Sequence, residues 1–205
     1  MPSTWPTTLR DRDLVLRPLR RTDRRAWERL RTESRAWLAP WEATEPDLVR
    51  PAPGFAAMRR MLEDAGRRGA MLPLAIVDDG RLAGQITAGP ILYGWQSSAM
   101  IGYWVGRPFA GRGLAPRALA LVIDHCFAGI GLHRVEVDIR PENTASLRVA
   151  EKLHLRDEGV RRGLLHVDGA WRDHRSFALT AEEVRTGPDG RGVLARLLAE
   201  TAPRA

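Results

Sequence analysis

With 205 residues, 44% of them apolar, the chain is long enough for one globular domain with a sizeable core. It carries 32 basic against 25 acidic residues, a formal net charge of +7, and every basic residue except Lys152 is an arginine. No run of about 18 apolar residues is present, which excludes a transmembrane helix, and a single cysteine, Cys126, excludes an internal disulfide.

The opening segment MPSTWPTTLRDRD lacks a basic stretch followed by an apolar one, so no secretory leader is expected and the chain reads as cytoplasmic. Leu14–Arg20 alternates apolar and polar residues and reads as a short strand, placed at a sheet edge because Pro18 has no N–H. Thr22 is the expected N-cap of an amphipathic helix running from Asp23 to about Trp37. The next stretch, Trp37–Pro46 (WLAPWEATEP), is either a rigid loop packing its aromatics on the core or one wall of a substrate site. Pro53–Arg68 repeats apolar residues at helical spacing and ends at glycines. Met71–Val77 reads as a buried strand, joined through the tight turn Asp78–Arg81 to a strand over Leu82–Thr87 that can extend to Leu92. Ala99–Val105 is the next strand.

Gly106–Ala115 (GRPFAGRGLA) follows that strand and opens a helical pattern, Leu114–Ile130, with Pro116 in its first turn. Strand, glycine-rich loop and helix start together make a site for a phosphate, because glycines let backbone N–H groups approach an anion and the first turn adds unpaired donors. A glycine turn that merely starts a structural helix is the other reading. A Walker A loop is excluded, since Arg112-Gly113 stands where Lys-Ser/Thr is required. A dinucleotide fingerprint starting at Gly111 fails at Pro116, and His133–Val135 fill the window where its acidic residue belongs. Cys126 lies on the apolar face of the helix and reads as core.

Arg134–Arg140 alternates Val135, Val137 and Ile139 against polar residues, a strand with one face in the core and parallel to the strand before the loop. In Arg140–Leu155, Asn143 and Thr144 can cap a helix to about Leu153, with Asn143, Ser146 and Ala150 on one face. Asn143 and Ser146 are either a cap and a surface residue or ligand groups at the end of a parallel strand. Arg156–Leu165 and Trp171–Leu179 read as an antiparallel pair joined at His166–Gly169. The division expected is a domain over 1–180 and a polar tail over 181–205, with Gly187-Pro188-Asp189-Gly190 and a short helix near Val193–Ala199.

This order of elements, with IGYWVGRPFAGRGLAPRAL followed by RPENTASLRVAEKLHLRDEG, resembles the GNAT superfamily of acyl-CoA-dependent N-acetyltransferases, and within it the RimJ/RimL branch. The resemblance covers about Leu14 to Leu179. It implies an α/β (α+β) fold with a mixed central sheet of about seven strands, a parallel pair at the cofactor site and about four flanking helices. The implied cosubstrate is acetyl-CoA, with no metal, and the five dispersed histidines give no metal cluster. In the family loop Gln/Arg-x-x-Gly-x-Gly/Ala, Gly113 and Ala115 fill the later positions and Ala110 replaces Gln/Arg, leaving a backbone cradle over Gly111, Arg112, Gly113, Leu114 and Ala115. By resemblance, the backbone of Tyr103, Trp104 and Val105 pairs with the pantetheine arm, and an N–H near Val105 stabilises the oxyanion of the reaction.

Asn143 matches a family asparagine that contacts the cofactor. The tyrosine acid of many members falls at Ala150, so Ser146 is its substitute. Met100 stands where related sequences carry a glutamate base. His166 is the expected catalytic partner of Ser146, with Asp168, Asp173, His174, Glu42 and Glu45 as further candidate bases. Trp37, Trp41, Glu42, Met100 and Tyr103 are expected to line the acceptor side. The acceptor implied is a protein N-terminus, as on a ribosomal protein, or a small amine such as an antibiotic or polyamine. An acyl-CoA-binding sensor with little transfer activity is the alternative. Ribosome association and a homodimer belong to the same expectation. Specific DNA binding does not, since no helix-turn-helix, zinc-finger or RNP signature is present.

Overall fold

The computed structural model describes residues 5–46, 53–185 and 192–201. The segment Gly187–Gly190 lies outside the described residues. Eight strands form a single sheet in the order β1-β2-β3-β4-β5-β6-β8-β7. They are β1 (Leu9–Asp11), β2 (Leu14–Arg17), β3 (Leu72–Asp78), β4 (Arg81–Leu92), β5 (Ser98–Val105), β6 (Arg134–Ile139), β7 (Arg156–Val167) and β8 (Ala170–Thr180). All neighbours are antiparallel except β5 and β6.

The strand beyond the expected seven is β1, which pairs with β2 through Leu9–Asp11. β2 is therefore interior, between β1 and β3, and not an edge. Pro18 lies one residue past the strand end, so its missing N–H costs no ladder bond. The turns obey their residue types. Asp79 and Gly80 have φ of 46° and 73°, and Asp168 and Gly169 have φ of 50° and 73°, as a two-residue hairpin requires. The second turn is shorter than expected: Val167 pairs with Ala170, which puts His166 inside β7.

The helices expected from periodicity are α1 (Arg24–Glu33), α3 (Phe55–Arg67), α4 (Leu114–Asp124) and α5 (Thr144–Lys152), with short α2 (Arg35–Leu38) and α6 (Ala181–Arg185) added. The first does not run unbroken to Trp37. Ser34, fully buried, leaves helical geometry at φ −103°, ψ 5°, and its Oγ accepts the Arg107 N–H at 3.0 Å. Nor does Thr22 cap it. The Asp23 carboxylate accepts the Arg20 N–H at 2.7 Å and is gripped by both terminal guanidinium nitrogens of Arg17. α4 continues into a π-helical turn, His125–Ile130. Cys126 is buried there, and burial pushes its thiol up to about 12, so it is a core residue. A last helix, α7 (Val193–Thr201), packs on α4 and places Val193 and Leu197 in the main core cluster. Its start is held by Asp124, whose carboxylate oxygens accept the N–H groups of Val193 and Leu194 at 2.7 and 3.1 Å.

The middle of the sheet is not fully closed. β5 and β6 are paired only over Ser98–Met100 and Arg134–Glu136. Beyond Met100 β5 runs on to Val105, and beyond Glu136 β6 runs on to Ile139, with no ladder between them. The sheet is split into a V, whose inner backbone edges are open for another chain to pair with.

Candidate active site

A cleft of about 940 Å³ opens along this V. One side is built from backbone. Gly113, with φ 72°, stands at the N-cap of α4, and Gly111, with φ 76°, precedes it. A Cβ at either position would meet nothing, so glycine is required there by conformation and not by crowding. The N–H groups of Gly111, Arg112, Gly113, Leu114 and Ala115 have no backbone acceptor among the described residues. They form a nest of free donors at a helix N-terminus, which is the chemistry a pyrophosphate needs.

Glycine is needed for the opposite reason at Gly84 on β4. A Cβ there would stand 2.1 Å from the Trp104 carbonyl oxygen. This close approach lets β4 press against β5 below the loop. Gly106, whose N–H donates to Ala83 O at 2.8 Å, likewise has no room for a Cβ against Leu30.

Of the residues expected at the cofactor, Tyr103, Trp104, Val105, Ala110, Gly111, Gly113, Leu114, Ala115, Asn143 and Ser146 line the cleft. The Arg112 side chain does not. Its Nη1 lies 2.7 Å from Asp78 Oδ2, an ion pair without hydrogen-bond geometry, so the guanidinium ties the loop to the buried end of β3. Asn143 caps α5, its Oδ1 accepting the Ser146 N–H at 3.1 Å, which fixes Ser146 in the first turn at the cleft. Ala150 is buried, and no side-chain acid stands at that position. The Tyr103 hydroxyl is buried without a well-formed hydrogen bond. Burial pushes this phenol up to about 12, against a smaller opposing pull from Ser146, so it stays protonated.

The other side of the cleft is built from side chains. Trp37, Trp41, Glu42 and Met100 line it. Trp37 Nε1 donates to Val105 O at 3.3 Å, and the Arg140 guanidinium lies 5.5 Å from the Trp41 ring while donating to Pro40 O at 2.7 Å. These contacts tie the tryptophan segment over the V. Glu42 is not a free carboxylate: both its oxygens are held by Arg31, whose guanidinium lies 5.1 Å from the Trp104 ring centre. Glu45, Asp168 and Asp173 lie outside the lining.

His166 is also outside it, and the reason is its place in β7. Its carbonyl accepts the Thr44 N–H at 2.8 Å, and its Nδ1 lies 2.7 Å from Thr44 Oγ1. It anchors the tryptophan segment rather than facing the cleft. Two other polar residues line the cleft instead. Asp138, on the polar face of β6, is legible in the sequence only as an alternating outward residue. His174, on β8, is 4% exposed and donates from Nδ1 to Arg172 O at 3.0 Å.

The sequence pattern of the acetyltransferase (GNAT) domain matches residues 13–156. The chain belongs to the GNAT acetyltransferase family. It is an N-acetyltransferase by that membership, with acetyl-CoA as acyl donor. RimJ from Mycobacterium smegmatis, solved in complex with CoA-disulfide, superposes with a TM-score of 0.85 at 39% identity, covering 96% of this chain and 95% of that one. The [ribosomal protein uS5]-alanine N-acetyltransferase of Escherichia coli (strain K12) is 27% identical over 169 residues, 80% of this chain and 87% of that protein. The probable N-acetyltransferase YjcK of Bacillus subtilis (strain 168) is 36% identical over 101 residues, so this chain spans only 56% of that relative's length.

The residues of this GNAT acetyltransferase fit an acyl-CoA. The free donors over Gly111–Ala115 suit its diphosphate, the unpaired edges of the V suit its amide-bearing arm, and the buried Tyr103 hydroxyl leaves a polar group in the cleft without a well-formed hydrogen bond. Among the described residues no group of three or more His, Cys, Asp or Glu side chains is gathered for a metal ion. No helix among them is long and apolar enough to cross a membrane.

Proposed function

We infer that this protein acetylates the N-terminal α-amine of a protein substrate in the cytoplasm, a ribosomal protein being the first class to test. One observation supports this above the others. The acceptor side of the cleft is walled by Trp37 and Trp41, at 42% and 36% exposure, and lies in the same cleft as Ser146 on the cofactor side. An extended peptide end can enter between such walls, and the E. coli relative is a ribosomal-protein alanine N-acetyltransferase.

The chain's own groups have assignable parts. The Gly111–Ala115 nest binds the diphosphate, and the open edge of β5 holds the arm. Acetyl-CoA supplies the activated acetyl thioester. Ser146, whose backbone N–H is held by the Asn143 cap, offers its Oγ as the proton donor to the departing sulfur. Trp37 and Trp41 wall the side from which the acceptor enters.

The test is thiol release from acetyl-CoA with peptides starting Ala or Ser, set against polyamines and aminoglycosides. Turnover on the peptides alone supports the reading. Turnover on the small amines alone moves the assignment to a small-molecule acetyltransferase, and tight CoA binding with no turnover on any acceptor moves it to an acyl-CoA sensor.

A further inference from the structure

The acceptor nitrogen arrives as an ammonium, since a terminal amine titrates near about 7.7–8.0, and it must lose a proton before it can attack. Neither Met100 nor the paired Glu42 can take that proton. The cleft therefore needs another acceptor, and the β6–β8 face offers one.

Asp138 on β6 lies opposite Ser176 on β8, and His174 follows two residues away on the same face of β8. The Asp138 side chain is 1% exposed and lines the cleft. Its Oδ1 accepts a short hydrogen bond from Ser176 Oγ. Its Oδ2 faces the Arg161 guanidinium at 3.4 Å, a long contact to a half-exposed side chain. The other carboxylates of the cleft are committed. Glu42 is gripped at both oxygens by Arg31, and Glu142 is paired with Arg140 at 3.2 Å. Asp138 is thus the cleft carboxylate with the longest contact to its cation, and a buried carboxylate attracts an ammonium.

His174 completes the arrangement. A carbonyl can only accept, so the 3.0 Å contact to Arg172 O puts the ring proton on Nδ1. In the neutral ring the lone pair is then on Nε2, across the ring, and Nε2 has no hydrogen-bond partner among the described residues. An imidazole held through Nδ1, with Nε2 unpartnered in a cleft, is placed as a general base requires.

We propose that Asp138 and His174 form the acceptor-ammonium site: the Asp138 carboxylate receives the ammonium, and His174 Nε2 removes its proton. The steps balance. One N–H proton of the ammonium passes to Nε2, and the freed lone pair forms the N–C bond to the acetyl carbonyl. The C–S bond breaks with its electron pair on sulfur, the second N–H proton passes to Ser146 Oγ, and the Ser146 hydroxyl proton passes to sulfur. The imidazolium then returns its proton to water. Ser176 is a positioning residue for Asp138. The inference rests on the transferase reading above.

The experiment uses the full chain with His174→Gln, Asp138→Asn and Ser176→Ala. CoA binding by calorimetry reports folding and the cofactor side separately from turnover. The expected result is unchanged CoA affinity for all three. Turnover by His174→Gln should drop by about two orders of magnitude or more, the loss expected when a general base is removed. Asp138→Asn should raise the acceptor KM about tenfold or more, a change on the order of 1.4 kcal/mol, and Ser176→Ala should do so less. A His174→Gln variant that binds CoA and keeps its turnover within threefold of the parent overturns the proposal.

Wild-type protein gives a second measurement, independent of how the variants fold. In ¹⁵N spectra the His174 ring should show Nδ1 protonated and Nε2 bare. The Nε2 signal should move when a peptide with a free N-terminus is added and stay when an N-terminally acetylated one is added. An Nε2 that responds to neither peptide overturns the proposal. If the wild type turns over no amine at all, it is the transferase reading that fails.

Discussion

The two walls of the cleft are made of different material. The wall we assign to the cofactor is backbone: left-handed glycines at 111 and 113, free N–H groups at the start of α4, and an unpaired edge of β5. The wall we assign to the acceptor is side chain: tryptophans held by Val105 O and Arg140, a carboxylate held by Arg31, and a polar β6–β8 face. Backbone recognition depends on conformation and tolerates side-chain change, as Ala110 illustrates by standing where the family pattern has Gln or Arg. Side-chain recognition is retuned by single substitutions. A fold built this way keeps one donor while its acceptor varies.

The sharpest way to break the division is Gly84→Ala. Its Cβ would fall 2.1 Å from a backbone oxygen, which no side-chain rotation relieves. We expect a loss of roughly 3 kcal/mol of stability, read as a lower Tm, and loss of CoA binding as β4 and β5 separate. Gly113→Ala is milder, since only the φ of 72° opposes it. Roughly 1–2 kcal/mol of strain is expected, with CoA affinity reduced about tenfold in calorimetry and the acceptor KM unchanged.

Arg31→Ala should show the converse. It frees Glu42 and removes the cation beside Trp104. The acceptor KM should rise about fivefold, a change of about 1 kcal/mol, while CoA affinity stays within error.

How much of the molecule is legible in its sequence follows the same line. Glycine loops, Asp-Gly hairpins and the periodicity of α4 are local, and each local rule points to the element that forms. β1 is not legible, because Leu9–Asp11 is three residues long and gains stability only from pairing with β2. The break in the first helix depends on Arg107, 73 positions away, whose N–H needs the Ser34 hydroxyl. Asp138 reads as a solvent residue because alternation reports which face is polar, not whether that face is roofed. His166 has the chemistry of a site residue, but β7 runs further than its turn signal indicates and carries it outside the cleft. The cofactor wall is thus local and readable, and the acceptor wall is assembled from contacts between distant segments.

Two smaller effects serve as controls away from both walls. Asp124→Ala removes the carboxylate that holds the first turn of α7, and about 1 kcal/mol should be lost with CoA and acceptor constants unchanged. Glu158 is held down to about 2, from an ordinary 4.5, by hydrogen bonds from Arg134 and Arg156. Its ionised form stabilises the fold above the ordinary value, and that contribution disappears as pH falls toward about 2. Glu158→Gln should therefore flatten the stability profile between pH 4.5 and 2 in acid-unfolding curves: the variant lacks this contribution at neutral pH, a small one for so exposed a pair, and converges on the parent near pH 2.

The central claim is that one cleft brings an acetyl thioester to a peptide's α-amine. It is tested most directly by incubating the protein with acetyl-CoA and an Ala-initiated peptide that also carries an internal lysine, then locating the acetyl group by fragment mass spectrometry. The account predicts acetylation on the N-terminal nitrogen, and none on an N-terminally blocked copy of the same peptide. Acetyl found on the lysine, or on both copies equally, would contradict it.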